Sequence, residues 1–241
     1  MKILFSPSEQ KTTRATDTNM KLLGGVEFRM EILKKYQNTV LLDDIKEKLS
    51  LFGLKKEQDA KKYLVDIFNT STCKALQRYD GVAYDYLEYE TLSKDAQEYL
   101  DENLLIFSNL FGVVQGKDLL PIYKVKQGNT VGGIAPQLFY KPHLKNLLGE
   151  LLENEEVIDL RAGYYEKFYK HTNSYTTLKF LKNNKVVSHW AKAYRGIIAK
   201  EMAQNNIQTT KELLRLPLKN LQIKEIRQIQ NKTEVIYEIL S

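Results

Sequence analysis

The sequence predicts a mixed α and β protein, an α+β chain in which no strand–helix–strand repeat is visible. Three observations support this. Apolar residues recur at helical spacing in several separate segments, and short apolar or β-branched runs of strand length stand near both ends of the chain. In addition, 43% of the 241 residues are hydrophobic and 27% charged, enough apolar material for a sizeable core. From this length, one large domain or two closely packed ones is the expectation.

Lys2–Ser6 is an apolar run that Pro7 ends, because proline cannot donate to a central ladder. It reads as a strand leading into a polar loop that carries Ser6, Lys11 and Arg14 and extends through Thr18. From Val26 to about Asn38, Phe28, Ile32, Leu33 and Tyr36 fall on one helical face, and Ile45 and Leu49 repeat the pattern over Asp43–Ser50. A break at Leu51-Phe52-Gly53-Leu54, where glycine reaches conformations other residues resist, separates these from a helix expected over Lys55–Phe68. Ser93 marks a further helix start. Leu104–Val114 reads as buried, and Gly112–Pro142, rich in Gly and Pro, reads as a long loop with short strands. A helix over Lys145–Glu153 and a buried strand over Glu156–Leu160 follow. Thr176–Leu181 and Val186–Trp190 are β-prone runs joined by Asn183-Asn184, whose side chains tolerate positive φ, so a hairpin is expected. Helices over Ala191–Gln204 and Thr210–Leu216 and a strand over Glu234–Leu240 complete the chain.

Composition excludes several classes. The longest apolar stretch, Leu104–Val114, is interrupted by Ser108, Asn109 and Gly112 and falls short of the roughly 18 residues of a membrane span. Met1–Phe5 passes at once into Ser6-Pro7-Ser8-Glu9, too short for the apolar region of a secretory signal, so a cytoplasmic protein is expected. One cysteine, Cys73, and three histidines provide neither a disulfide nor a cluster at metal-site spacing. Cys73 reads as a buried small hydrophobe. Asp80, Asp85, Glu88 and Glu90 form an acidic group that reads as dispersed surface carboxylates before it reads as a Mg²⁺ site. Neither a phosphate-loop motif, a dinucleotide fingerprint nor a nucleophile elbow is present. No cofactor is implied.

The net charge of +6 is unevenly spread. Residues 157–241 hold 15 basic and 7 acidic side chains, whereas residues 1–156 hold 21 and 23. An excess of that sign in the last third favours polyanions. Two constellations could exploit it. Between Asp43 and Phe68, a helix, a Gly53 hairpin and a second helix would aim backbone N–H groups at a phosphate, with Lys55 and Lys56 adding charge. Lys55 stands where such hairpins commonly carry a second glycine, and a plain helical hairpin remains open. Beyond it, Lys192 and Arg195 share one helix face in what reads as the helix's first turn, an unfavourable place for cations unless an anion is near. Asp159 and Arg161 stand together at a strand end, where a fork-like pair internal to the protein and ligand binding are both open.

Five blocks occur in order: Ser6-Pro7-Ser8-Glu9-Gln10-Lys11-Thr12, Tyr79-Asp80-Gly81-Val82-Ala83-Tyr84, Phe111–Val114 with Asp118–Tyr123, Asp159-Leu160-Arg161-Ala162-Gly163-Tyr164-Tyr165, and Val187–Gly196. Together they resemble the YaaA family of bacterial peroxide-stress proteins over nearly the whole chain. The resemblance implies a single-domain, cantaloupe-type fold over residues 1–241 with a basic cleft and a helix-hairpin-helix element. It further implies binding of duplex and branched DNA in the oxidative-stress response and recombinational repair, and lowered free intracellular iron. By the resemblance, Lys11, Arg161 and Lys192 are cleft residues. The expected DNA-binding set is therefore Lys11, Gly53, Lys55, Lys56, Arg161, Lys192 and Arg195, with DNA as partner, and neither membrane nor obligate protein partner. The competing expectation is an enzyme acting on a phosphorylated or anionic small molecule, with Ser6, Lys11, Arg161 and Lys192 converging in one pocket.

Overall fold

The computed structural model of the chain describes residues 1–240. Strand β1 (Lys2–Phe5) opens the chain and is followed by the short β2 (Gln10–Lys11). Helices α1 (Met30–Leu41), α2 (Ile45–Phe52) and α3 (Glu57–Ala60) lead to β3 (Thr72–Lys74), α4 (Ala75–Arg78) and β4 (Tyr79–Asp80). Next come α5 (Val82–Leu87), α6 (Lys94–Asn103), β5 (Leu104–Ser108), β6 (Gly112–Gln115), β7 (Leu119–Pro121) and α7 (Pro136–Leu151). The last third holds β8 (Val157–Asp159), β9 (Tyr175–Lys182), β10 (Lys185–Val186), α8 (Ser188–Gln204), α9 (Thr210–Arg215), β11 (Leu221–Ile229) and β12 (Lys232–Ile239).

One sheet organises these elements in the order β11-β12-β9-β8-β1-β5-β6, with β10 paired to β9. β1 lies parallel to both β5 and β8, and β9 is parallel to β8 and β12. Only β6, β10 and β11 run antiparallel to their neighbours. The chain is thus mixed α and β as expected, but its centre is parallel. Continuous apolar runs mark strands covered on both faces, and Ile3, Leu4, Phe5 and Leu104–Phe107 are buried to within 1%. The parallel pairing escaped the sequence because β1 and its partner β5 are separated by residues 6–103, with no short helical crossover between them.

Several expectations need correction. The helix over Lys55–Phe68 is only Glu57–Ala60 followed by a single 3₁₀ turn, Lys61–Tyr63. Asp66 ends it by accepting from the Phe68 amide (2.9 Å), and the Gln37 side chain takes the Ile67 amide (2.8 Å), so side chains satisfy backbone groups a helix would have used. α7 begins at Pro136, nine residues earlier than predicted, and runs through Pro142. Pro136 suits the first helical position, and the end of the segment read as loop, through Pro142, lies inside this helix. Within Gly112–Pro142 the strands β6 and β7 hold the earlier part. Val186–Trp190 is not a strand: β10 ends at Val186 and α8 starts at Ser188. β11 was missed because its Lys, Glu, Arg and Gln residues form a largely exposed edge, charges that discourage further pairing. The Asn183-Asn184 hairpin, with φ of 51° and 63°, and the Ser93 cap, which accepts from the Ala96 amide, are as predicted. No helix among the described residues is long and apolar enough to cross a membrane.

α8 and α5 cross so closely that a Cβ on Gly196 would lie 2.0 Å from the Ala83 carbonyl oxygen. Backbone cannot retreat as a flexible side chain can, so overpacking here separates the two helices. Gly196→Ala is expected to destabilise the protein by about 3 kcal/mol, the upper range for added core volume, measured by urea denaturation; a change under about 0.5 kcal/mol, typical of surface positions, would show that the helices part freely.

Candidate functional site

At the carboxyl end of β1, between its parallel neighbours β8 and β5, the chain turns at Ser6-Pro7. Crevices beyond the carboxyl ends of parallel strands are where such sheets bind ligands. Ser6 joins three segments there. Its carbonyl accepts from the Tyr84 hydroxyl (2.9 Å) and its Oγ from the Ala162 amide (2.7 Å). Tyr84 stacks on Tyr79 at 5.4 Å and meets Phe5 edge-on at 5.6 Å. β2 pairs with β4, Lys11 opposite Tyr79, which draws the loop after β1 against the start of α5. Gly81 makes that turn with φ of 111°, and a Cβ there would press on Ser8 Oγ at 3.0 Å.

These segments and α8 enclose a cavity of about 400 Å³, whose walls include Ser6, Ser8, Tyr84, Ala162, Lys192 and Arg195. Lys192 is exposed and Arg195 half-buried, and among the described residues neither has a hydrogen bond or ion pair. Burial lowers the Arg195 pKa, with Asp159 drawing it back up. The carboxylate in the wall, Glu9, is engaged already, 3.6 Å from Lys124 and accepting from the Gln127 amide at 3.0 Å. The cavity therefore presents two cations that form no ion pair, Arg195 feeling Asp159 only through space. Lys192 and Arg195 do not lie in the first turn of α8, which starts at Ser188; their lack of a hydrogen bond or ion pair, not the helix dipole, sets them apart.

The other expected residues are placed differently. Arg161 is buried, and its guanidinium binds Asp159 in a fork (2.9 and 2.7 Å) while Nη1 donates to the Tyr165 and Tyr169 carbonyls. His171 completes the group at 2.9 Å from Asp159. Burial alone would raise the Asp159 carboxyl; the bonds from His171 and Arg161 hold it well below the usual range. Of the two roles open for this pair, the internal one is the arrangement found. Lys11 lies beneath the cavity wall, its Nζ donating to the Ser8 carbonyl (2.9 Å) and 4.3 Å from the Tyr123 ring. Burial, then Lys124 nearby, push its amine well down. Gly53 caps α2 with φ of 65° and packs on Lys126, next to Gln127 of the cavity wall. Lys55 and Lys56 are exposed and outside the lining. Thus Lys192 and Arg195 share the cavity with Ser6, while Lys11 and Arg161 support it from behind.

Tyr84, Ser8 and Gln127 were not singled out from the sequence. Tyr84 and Ser8 stand in blocks that were; nothing local marks Gln127. Cys73 is fully buried in β3, and burial raises its thiol. Among the described residues no group of three or more His, Cys, Asp or Glu side chains is placed to hold a metal; Glu88 pairs with Lys200 and Glu90 with Arg14.

The depressed Asp159 pKa sets a pH dependence. A carboxyl with a lower pKa folded than unfolded stabilises fully above the unfolded value, about 3.9, and loses that contribution as pH falls below it. Asp159→Asn, which strands buried Arg161, should cost about 3–5 kcal/mol at pH 7, with the gap to the native protein narrowing below pH of about 4 in guanidinium titrations. An equal gap at both pH values would show that the charge contributes little.

The chain matches the family model described as peroxide stress protein YaaA over residues 1–227. It is 44% identical to an uncharacterized protein of Campylobacter jejuni across the whole of both chains. A UPF0246 protein of Corynebacterium glutamicum shares 31% identity over 84% of this chain and 85% of its own, and one of Clostridioides difficile shares 25% over 98% and 99%. Because the family model spans residues 1–227 and relatives match over most of their length, the chain belongs to the YaaA family of peroxide stress proteins.

Proposed function

We propose that this protein binds DNA without sequence preference during the response to peroxide, holding backbone phosphates on Lys192 and Arg195 at the cleft. The observation that carries this reading is that both cations line the cavity and that, among the described residues, neither forms a hydrogen bond or an ion pair. Charges left uncompensated beside a concave wall favour an anion from outside. The cationic last third of the chain would extend the attraction along a polyanion. Lys55 and Lys56, exposed after the Gly53 turn, would add a contact outside the cavity. Arg161 and Lys11 serve by holding the wall, since their donors bond to neighbouring groups of the chain. Contacts restricted to phosphate position a protein on DNA and carry no sequence information.

A second reading, turnover of a phosphorylated or anionic small molecule, is favoured by the cavity's volume of about 400 Å³, within the range of about 300–1,000 Å³ usual for small-molecule sites. Inhibition of DNA binding by millimolar inorganic phosphate no stronger than its ionic strength explains would argue against a shared site.

Gel-shift titrations over a range of salt test the main reading. With about four to six phosphates contacted, log K should fall with log salt at a slope of about −0.9 per contact. Replacing Lys192 and Arg195 together by Ala should weaken binding to all duplex sequences alike and make the slope shallower by about two contacts. Unaltered binding by that variant would move the interface elsewhere, and no shift of any DNA at low salt would remove the proposal.

A further inference from the structure

A second cavity, of about 420 Å³, lies between α7 and the segment that starts at Tyr169. From α7 it takes Lys141, Pro142 and Lys145. At 3.6 residues per turn these fall within about 100° of one another, and the two lysines stand about 6 Å apart along the axis. From the other segment it takes Tyr169, Lys170 and His171. No Asp or Glu lines it, and among the described residues none of the three lysines forms a hydrogen bond or ion pair. Apart from the ammonium tips, the surface turned to the cavity is mostly carbon, to which lysine stems contribute as proline and ring carbons do.

The segment from Tyr169 is fixed from within the protein. Arg161 donates to the Tyr169 carbonyl (3.0 Å), and the His171 ring stacks on Tyr175 at 3.9 Å with Nε2 2.9 Å from Asp159. Held ionised, Asp159 can only accept, so Nε2 carries the proton and that edge of the imidazole is committed. An anion in this cavity is left to the lysines. Inorganic phosphate would meet their ammonium groups and leave the carbon surface wet. A neutral hydrocarbon would cover the carbon and leave three cations beside it without a counter-charge. A molecule with one anionic end and an apolar body satisfies both.

We propose that this cavity binds a small amphiphilic carboxylate, its anionic end on the ammonium groups of Lys141, Lys145 and Lys170 and its body on the carbon walls. The volume lies within the range of about 300–1,000 Å³ usual for small-molecule sites. Lys192 and Arg195 do not line it, so the proposal stands apart from the DNA reading. Two kinds of body carry the same chemistry, a flexible alkyl chain and a flat aryl ring.

Calorimetric titration of the full chain with acetate, hexanoate, octanoate and naphthoate, and with octanol as the uncharged comparator, tests the site. Affinity should rise about two- to fourfold with each methylene added from hexanoate to octanoate, the upper figure being full burial of the group. Octanoate should bind at least about fivefold more tightly than octanol at low salt, a preference that added salt reduces. Replacing Lys141, Lys145 and Lys170 together by Ala should erase that preference. Thr172→Trp, which enters the cavity from an exposed position and leaves the lysines in place, should weaken octanoate by about tenfold or more. The Lys192→Ala, Arg195→Ala double variant should bind octanoate as the native protein does. Thermal melting establishes that the variants fold; all three lysines are exposed, which keeps the test available if the tryptophan variant does not. Tighter binding of octanoate than of naphthoate assigns the alkyl body, and the reverse assigns the aryl one. Octanoate bound no better than acetate, or no better than octanol, overturns the proposal. So does binding that survives both the lysine and the tryptophan substitutions, or that is lost only with Lys192 and Arg195. None of these results bears on DNA binding, whose own variant is Lys192 with Arg195.

Discussion

The carboxylate of Asp159 is the charge around which the cleft is arranged. It sits at the carboxyl end of a central parallel strand, almost fully enclosed, and such a group stays ionised only where several donors converge on it. Arg161 and His171 supply them. Because Arg161 also bonds the Tyr165 and Tyr169 carbonyls, one guanidinium fixes the loop from residue 159 to 171. That loop then presents the Ala162 amide to Ser6, closing one wall of the cavity. A buried ion pair of this kind is weak evidence of net stability; here it specifies geometry.

The opposite wall depends on a close helix crossing. With no side chain at Gly196, α8 rests on the backbone of α5, which brings Lys192 and Arg195 over the loop that follows β1. Tyr84 on α5 reaches back to the Ser6 carbonyl. Both walls thus meet at one residue at the end of β1, itself locked between two parallel neighbours. The charge balance follows from the same packing. Glu9, which could have neutralised the cations, is engaged by Lys124 and the Gln127 amide, and Asp159, bonded to Arg161 and His171, acts on Arg195 only through space. Positive charge is left facing the cavity because the nearby carboxylates are engaged elsewhere.

Much of the element pattern was legible in the residues themselves. Ile3-Leu4-Phe5 before Pro7, the Ser93 cap and the Asn183-Asn184 turn each carry their conformation in local chemistry, and each forms where expected. Local rules failed where the stabilising partner is remote. The helix expected through Phe68 ends early because Gln37, some thirty residues away, takes the backbone groups of that segment. Pro142 sits inside α7, and the polar β11 pairs only because β12 lies beside it.

The sequence alone determined the mixed α and β class, the lack of a second cysteine to pair with Cys73, the cationic last third and the ordered blocks that mark the family. Those properties depend on composition and short-range spacing, which any chain carries unfolded. Tertiary structure decided which cations meet. Lys11, Arg161 and Lys192 are equally basic as residue types, yet burial against Tyr123 and Ser8 occupies the first and the Asp159 fork the second. Lys192, with Arg195, keeps its charge for the cavity. Whether a charged side chain is available to a ligand depends on desolvation and on partners brought in from distant segments, and neither exists until the sheet has formed.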